Sequence, residues 1–158
     1  MRRLLVAFSM MFIIALAPLG NEAQASRYPG NFGIGVGSTT IASGLSLKQF
    51  AGPTAFQLTA GCWGSCDGVA ASLDFLANMP ALASGNVLSL AWNFGAGAAL
   101  GVGDGELGAA GAFVLGLEVI FAPLPIDLVL EWRPALHILS DVDLDILSFG
   151  GHLRFYLL

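Results

Sequence analysis

The fold is decided by the stretch IDLVLEWRPALHIL, residues 126–139. From Ile126 to Ile138 every second residue is apolar, whereas the residues between them include two acids, an arginine and a histidine. Side chains alternate between two faces in a β-strand, so this period of two predicts a strand with one apolar and one charged face. A helix explains the stretch poorly, because Pro134 would break its hydrogen-bond ladder.

The same alternation recurs in seven other segments, which are separated by clusters of Gly, Pro, Asn, Asp and Ser. Their apolar faces consist of Phe32, Ile34 and Val36; Leu45 and Leu47; Phe56, Leu58 and Ala60; Val69, Ala71, Leu73 and Phe75; Leu88, Leu90, Trp92 and Phe94; Phe113, Leu115, Leu117, Val119 and Phe121; and Leu147, Phe149, Leu153 and Phe155. The opposite faces are mixed and include Lys48, Gln57 and Asp74. The pattern therefore predicts eight strands in all.

The composition indicates the environment of these strands. Of the 158 residues, 56% are hydrophobic and 11% are charged, and the mean hydropathy is +0.77. A soluble sandwich would turn polar residues outward, whereas here the uniform face is apolar and the mixed face holds Gly, Ala, Ser and charges. The sequence therefore predicts an all-β fold, an eight-stranded antiparallel up-and-down transmembrane β-barrel whose lumen is filled by its own side chains.

A polytopic helical membrane protein is the rival architecture. Residues 107–126 are apolar apart from Glu118 and could pass as a membrane span by hydropathy. Three glycines and two prolines within that stretch, and the absence of flanking Lys or Arg, argue against a spanning helix. The helical interpretation is kept as the alternative to the barrel.

The first residues have the pattern of an export signal. Arg2 and Arg3 precede an apolar run over residues 4–19, and Ala23-Gln24-Ala25 supplies the small residues that a signal peptidase reads. We predict a signal peptide over residues 1–25, cleaved after Ala25, and a barrel domain over residues 26–158. An exported barrel implies the bacterial outer membrane as its location.

The charge balance limits the class of partner. The 6 Lys+Arg residues stand against 11 Asp+Glu residues, a formal net charge of -5, which argues against nucleic acid because phosphate binding needs clustered cations. Acidic connections at residues 65–68, 103–106 and 140–145 fall at one end of the predicted barrel, the cell exterior. The expected partners are outer-membrane lipids and a surface partner that contacts these acidic loops. No cofactor is expected.

Four segments carry a resemblance to a known group. They are Gly44-Leu45-Ser46-Leu47-Lys48-Gln49-Phe50, residues 116–121, residues 124–134 and Gly151-His152-Leu153-Arg154-Phe155-Tyr156. These segments resemble strands of small bacterial outer-membrane β-barrel proteins of the OmpX-like and OmpA-like eight-stranded class. The resemblance implies a fold and a location, and it implies no particular biochemical activity, since the group has no agreed one.

Charged residues on the mixed faces predict a polar network inside the lumen. The candidate members are Glu118, Asp127, Glu131, Arg133, His152 and Arg154. A last hairpin centred between Val142 and Asp143 would place Glu131 opposite Arg154, and Arg133 opposite His152. We interpret the network as a plug in which carboxylates and guanidinium groups satisfy each other, with no open pore. A gated polar path or a proton relay is the alternative.

Two cysteines predict a disulfide bond at the exterior end. Cys62 and Cys66 enclose Trp63-Gly64-Ser65 in a compartment that is oxidising if the chain is exported. Their spacing differs from that of a redox Cys-x-x-Cys pair, and no zinc partners lie nearby, so a structural bridge is the preferred interpretation.

An enzymatic function is the alternative to a structural or surface-interaction role. Some eight-stranded barrels are lipid A acylases or deacylases that use a His and a Ser at the outer rim. The hairpin register predicted above places His137 opposite Ser148, which gives a rim-localised lipid hydrolase as the second hypothesis. Because no acid is placed to orient His137, we predict a protein that is not an enzyme.

A run of glycines superficially resembles a nucleotide-binding loop. The glycines are Gly95, Gly97, Gly101, Gly103 and Gly105. No helix is predicted to follow them, and the third glycine of the dinucleotide pattern is out of register. They are therefore predicted to form a flexible strand end and loop.

Overall fold

A computed structural model of the chain describes residues 31–64, 66–103, 105–121, 123–139 and 142–157. The predicted signal peptide lies outside these residues. The described residues form eleven strands: β1 Phe32–Ser38, β2 Ala42–Ala51, β3 Thr54–Trp63, β4 Gly68–Asn78, β5 Ala83–Ser84, β6 Leu88–Gly103, β7 Glu106–Phe121, β8 Ile126–Trp132, β9 Ala135–His137, β10 Asp143–Asp145 and β11 Phe149–Leu157. In this part of the chain, no helix is long and apolar enough to cross a membrane.

The strands close into a barrel in which every pairing is antiparallel. Its wall runs β1, β2, β3, β4, β6, β7, β8, β11 and back to β1. β8 and β9 together form one of the eight strands of the wall, because both pair with β7. Trp132 lies opposite Leu115, and Leu136, four residues further along, lies opposite Gly111. The described residues therefore form the predicted closed eight-stranded antiparallel barrel, and the helical alternative is wrong.

The alternation of period two decides which side chains face inward. Leu128 and Leu130 are 50% and 63% exposed on the outside of β8, whereas Asp127, Val129 and Glu131 between them are buried. The same rule holds in β3, where exposed Phe56 and Leu58 alternate with buried residues. The core of the protein is therefore the lumen, which is mostly lined by small and polar side chains.

The glycines predicted to form a flexible strand end and loop lie mostly inside the longest hairpin, because Gly95, Gly97, Gly101 and Gly103 belong to β6 and Gly105 alone of the five lies in the turn. β6 and β7 each have 16 residues, and β6 extends through Gly103. Gly103 lies opposite Glu106, and Gly105 between the two strands has a φ of +79°. Glycine is required within β6 for close packing: a Cβ atom at Gly97 would overlap a carboxylate oxygen of Asp74.

The register of the last hairpin differs from the predicted one. Arg154 lies opposite Asp127, and His152 lies opposite Val129, so the predicted opposition of Glu131 to Arg154 and of Arg133 to His152 is wrong. The turn comes earlier than expected, between His137 and Asp143, which are paired. Between β8 and β11 the partner of each residue moves by four positions, whereas the partner of His137 moves by five, from Ser148 to Asp143. The even shift between β8 and β11 leaves the side chains of these two strands on their predicted faces.

Candidate functional site

The lumen gathers all six predicted network residues, each at most 2% exposed. Five further inward residues join them: Ser46, Lys48, Gln57, Asp74 and Tyr156. The first four have the same alternation signal as the predicted members, on strands where the surrounding residues are mostly apolar or small. Tyr156, which sequence reasoning missed, continues the inward series of His152 and Arg154 on β11, and its hydroxyl contacts Asp127.

Arg154, Asp127 and Tyr156 form a first cluster on two adjacent strands, β8 and β11. Arg154 Nε and Nη2 donate to Asp127 Oδ1 and Oδ2 at 3.1 and 2.9 Å. The Tyr156 hydroxyl donates to Oδ2 of the same carboxylate at 2.6 Å. The two-point contact between guanidinium and carboxylate fixes both side chains in orientation as well as in distance.

Lys48 and Glu118 form an ion pair that crosses the lumen. Lys48 Nζ lies 3.2 and 3.1 Å from the two carboxylate oxygens of Glu118. Their strands, β2 and β7, occupy opposite positions in the barrel wall. Both side chains are fully buried. The ion pair therefore connects two strands on opposite sides of the barrel, which are not hydrogen-bonded neighbours in the sheet.

Arg133 is the centre of a second cluster and also crosses the lumen. Its Nη2 and Nη1 donate to Asp74 Oδ1 and Oδ2 at 2.7 and 3.1 Å, and Nη1 donates to Glu131 at 2.6 Å. The Glu131 carboxylate also lies 3.2 Å from His152 Nε2. The other ring nitrogen, His152 Nδ1, lies 2.9 Å from the Ser46 hydroxyl oxygen. Asp74 on β4 is thereby joined to the opposite side of the barrel.

Gln57 links the two arginine clusters. Its Nε2 donates to Asp74 at 3.0 Å and to Glu131 at 2.9 Å. Its Oε1 accepts a hydrogen bond from Arg154. Both ends of the amide are therefore bound to charged groups of opposite sign, and the middle of the lumen becomes one connected network.

An apolar cluster, the Trp63 cap, covers the network at the end of the acidic turns. It consists of Trp63 packed on Ile41, Ala42, Ala70 and Ala99. Glycines make room for the indole ring: a Cβ atom at Gly108 would lie 2.6 Å from Trp63, and one at Gly101 would lie 3.1 Å from it. The sequence signal for this cap is the glycine run of β6, together with Gly108 on β7.

A second apolar cluster, the Phe50 cap, lies toward the other end of the barrel. It consists of Phe50 packed on Ala55, Leu76 and Val114. The Phe50 ring also stacks on Tyr156, with ring centroids 5.7 Å apart. Phe50 is one residue from the end of β2 and Trp63 is the last residue of β3, so the two caps enclose the polar network between them.

The disulfide bond joins Cys62 at the end of β3 to Cys66 in the following turn, with α-carbons 4.6 Å apart. Cys66 N donates to the carbonyl of Trp63 at 3.0 Å, and Gly64 takes a φ of +56°. The bond therefore closes the short turn from which the Trp63 side chain enters the lumen. The disulfide bond therefore helps to position the Trp63 cap.

His137 and Ser148 have separate partners. The Ser148 hydroxyl donates to Thr40 Oγ1 at 3.2 Å, and its carbonyl accepts from Arg133 N at 2.8 Å. His137 lies opposite Asp143 on one side and Ala110 on the other. The cross-strand pairing on which the hydrolase alternative depended is therefore wrong.

The charged groups of the lumen are held in ion pairs, in which the basic side chains of Lys48, Arg133 and Arg154 contact four carboxylates. Each of these four carboxylates has a cationic partner within 3.2 Å. Among the described residues, no group of three or more His, Cys, Asp or Glu side chains is arranged to hold a metal ion.

Comparison with protein-family models, with curated proteins and with solved structures finds no match to this chain. Its class therefore follows from its own structure. It is a small closed antiparallel β-barrel with an apolar exterior and a buried polar network inside.

Proposed function

We propose that the chain is a bacterial outer-membrane β-barrel protein of the OmpX-like and OmpA-like class, exported by a cleaved signal peptide. Its role is structural or surface-interacting. The lumen is plugged and does not conduct, and the protein is not an enzyme. Lipids of the outer membrane surround it, and a surface partner contacts its acidic turns.

The observation that carries this proposal is the inverted distribution of polarity. The large apolar side chains point outward, among them Leu130 at 63% and Leu153 at 49% exposure, while Arg133, Arg154 and Glu131 are buried. A water-soluble barrel would expose its charges and bury its leucines. An outward apolar band around a polar interior is the arrangement that a lipid environment stabilises.

The plugged lumen is supported by the contacts across it. Lys48–Glu118 and Arg133–Asp74 each connect strands from different sides of the wall, and Gln57 lies between the arginine clusters. An eight-stranded barrel is only wide enough to be filled by side chains. A conducting path would require several of these buried ion pairs to separate at once.

The surface-interaction role is supported by the acidic end of the barrel. Asp67, Glu106 and Asp143 are exposed there, at the same end as the Trp63 cap. The connections are short, so the partner footprint is small. The opposite end has the turn at Gly52 and Pro53, which lacks acidic residues.

The first test is the location and folding of the full chain. We expect expression in a Gram-negative host to place it in the outer-membrane fraction, with a gel mobility that changes on heating because a closed barrel resists detergent until heated. Recovery in the soluble or inner-membrane fraction would contradict the proposal. Purified protein in planar bilayers should give no steady conductance, and a stable open channel would contradict the plug.

Orientation is tested with an epitope tag at two matched glycines. Gly105 and Gly52 both have positive φ and open space around the Cβ position, so each tolerates an insertion in its turn. We expect intact cells to bind antibody when the tag follows Gly105, and only permeabilised cells to bind it when the tag follows Gly52. The reverse result would place the acidic turns inside the cell envelope.

A further inference from the structure

The outer wall of the barrel has a groove that crosses β6, β7 and β8. Its volume is about 340 Å³, at the lower end of the range of roughly 300–1,000 Å³ that is usual for ligand sites. One row of its lining is formed by Trp92, Leu117 and Leu130. Trp92 lies opposite Leu117, and Leu117 lies opposite Leu130. Strand pairing therefore holds these side chains in fixed positions relative to one another.

A second row of the lining lies two residues further along β7 and β8. Leu115 lies opposite Trp132, and Trp132 lies opposite Phe149 on β11. All three side chains are exposed on the outer face of the barrel. Leu82, from the connection between β4 and β5, adds a further apolar side chain. The groove therefore faces the surroundings of the barrel, with a tryptophan in each row.

The lining of the groove is hydrocarbon. The described residues that form it are leucine, tryptophan, phenylalanine and one glycine. The indole N–H of Trp132 is already used, since Trp132 Nε1 donates to the Ile146 carbonyl at 2.8 Å. A polar ligand would lose its hydrogen bonds to water here without gaining equivalent ones. The groove therefore favours an apolar occupant.

The size and shape of the groove favour a single chain over a second barrel. A stable protein interface engages about 20–30 residues a side, whereas eight described residues line the groove. A neighbouring barrel would present a convex wall, and space that it left unfilled would lose dispersion contacts. An acyl chain is narrow and flexible enough to lie along the Leu117 side chain between the two tryptophans.

The position of the groove along the strands indicates which leaflet supplies the chain. Leu117 is four residues from Phe121 at the end of β7 and eleven residues from Glu106 at its start. The turn that follows Phe121, residues 122–125, contains no acidic residue. This end of the barrel faces the periplasm in the proposed orientation. The nearer leaflet is then the inner leaflet of the outer membrane, which consists of phospholipid.

We propose that this groove is a binding site for one acyl chain of an inner-leaflet phospholipid. The chain packs over Leu117 between Trp92 and Trp132, and the headgroup lies toward the periplasmic end of the barrel. This inference rests on the proposed membrane location and deepens it, because it adds one specific site to the lipid contact that the whole outer wall makes.

The test is native mass spectrometry of the full-length protein, refolded in detergent and mixed with phosphatidylethanolamine. We expect one retained phospholipid per barrel, and a several-fold loss of this adduct in L117W, because the larger indole ring fills the groove. L73W is the matched control, since Leu73 is an exposed leucine of β4 outside the groove. It should keep the adduct. Equal adducts in L117W and L73W, or none in the unsubstituted protein, would overturn the proposal.

Other occupants of the groove give different spectra. In a parallel arm, lipid A replaces phosphatidylethanolamine. Stronger retention of lipid A would overturn the assignment of the chain to an inner-leaflet phospholipid. A dimer of the unsubstituted protein that L117W separates would assign the groove to a second copy of the chain, and would also overturn the proposal.

Fluorescence quenching gives an independent measurement in the same detergent. Phosphatidylethanolamine with brominated acyl chains is added at low mole fraction, and we expect it to quench Trp92 and Trp132. The control is L73W combined with W92F and W132F, whose new tryptophan lies on the outer wall away from the groove and should be quenched less. Trp63 is present in both proteins and contributes equally. Equal quenching would overturn the proposal.

Both measurements use refolded protein whose gel mobility changes on heating, and neither depends on where the chain is located in a cell. They therefore test the groove separately from the fractionation experiment, which tests the proposed function. A barrel in the outer-membrane fraction that retains no phospholipid would overturn the groove alone. A barrel that retains one phospholipid in the groove but is recovered from another fraction would contradict the proposed location alone.

Discussion

The middle of the lumen and its two ends are filled by opposite chemistries. The middle holds ion pairs such as Lys48–Glu118 and Arg133–Asp74, which connect different walls of the barrel. The ends are the Trp63 cap and the Phe50 cap, built from aromatic and small apolar side chains. A narrow barrel can therefore keep charges inside when the caps limit the access of water and every carboxylate in the network has a cationic partner.

Complete pairing matters because the ions are out of water. Taking an ion from water costs several kcal/mol, and attraction in the interior repays that only when geometry and hydrogen bonding are good. Removing one member of a pair leaves the other charge buried and alone. Removing part of a cap instead deletes packing and admits water, which solvates the charges. We therefore expect substitutions in the middle to be more damaging than substitutions at the ends.

The largest effect is expected for R133M. This change leaves Asp74 and Glu131 without their guanidinium partner, and breaking a buried pair typically costs about 3–5 kcal/mol. The measurement is urea unfolding of the refolded barrel in lipid or detergent. R133K, which keeps the charge but loses the two-point contact, should lie between R133M and the unsubstituted protein. A loss below about 1 kcal/mol for R133M would mean that the middle of the lumen is already hydrated.

A smaller loss is expected for W63A, which removes the main side chain of the Trp63 cap. Fully buried Trp-to-Ala changes cost about 3–5 kcal/mol, and Trp63 is only partly buried, so we expect about 2–3 kcal/mol. Amide hydrogen exchange should accelerate in β3 and β4 near the cap. If W63A destabilised the protein as much as R133M or more, the expected order, in which substitutions in the middle of the lumen cost more than substitutions at its ends, would be wrong.

The faces of the strands could be predicted from the sequence, whereas the partners across the lumen could not. Period two alone decides that Asp127 and Arg154 point inward. Which residues meet depends on where the last turn falls, and the turn between His137 and Asp143 moved the partners of β8 residues by four positions. The contact of Lys48 with Glu118 further depends on how the barrel closes, which no local pattern contains.

The Trp63 cap shows a second limit of sequence reasoning. Alternating glycines in β6 carry no apolar signal, so the sequence predicts only a flexible strand end and loop there. The role of Gly101 on β6 and Gly108 on β7 becomes visible only when Trp63 from β3 is placed over them. This packing of small residues against a large one joins segments that are distant in the sequence, so neither segment alone predicts it.

The disulfide bond should have an effect close to that of the cap. Replacing both Cys62 and Cys66 with Ser releases the turn that carries Trp63, and closing so short a loop stabilises by about 2 kcal/mol in the chain-entropy model. The comparison is the unfolding midpoint of the double variant with that of the oxidised protein. If Trp63 fluorescence stayed unchanged in the folded variant, the bond would stabilise the turn without positioning the cap.

The smallest effect is expected for G108A, with G111A as its matched control on the same strand. A Cβ atom at position 108 would lie 2.6 Å from the Trp63 ring, whereas one at position 111 would meet nothing within 4 Å. Overpacking should cost G108A about 1 kcal/mol, and G111A should be neutral. Thermal or urea midpoints of the two variants decide this. Equal behaviour would show that the indole ring does not lie over Gly108.

The central claim, that buried charges pair across the lumen of a closed barrel, is tested most directly by a double-mutant cycle between Lys48 and Glu118 on opposite walls. The measurement is the free energy of unfolding of K48M, E118Q and the double variant under one set of refolding conditions. We expect each single change to be strongly destabilising and the double change to cost less than their sum by at least about 2 kcal/mol. Additive losses would contradict the account, because they would mean that the two charges do not meet.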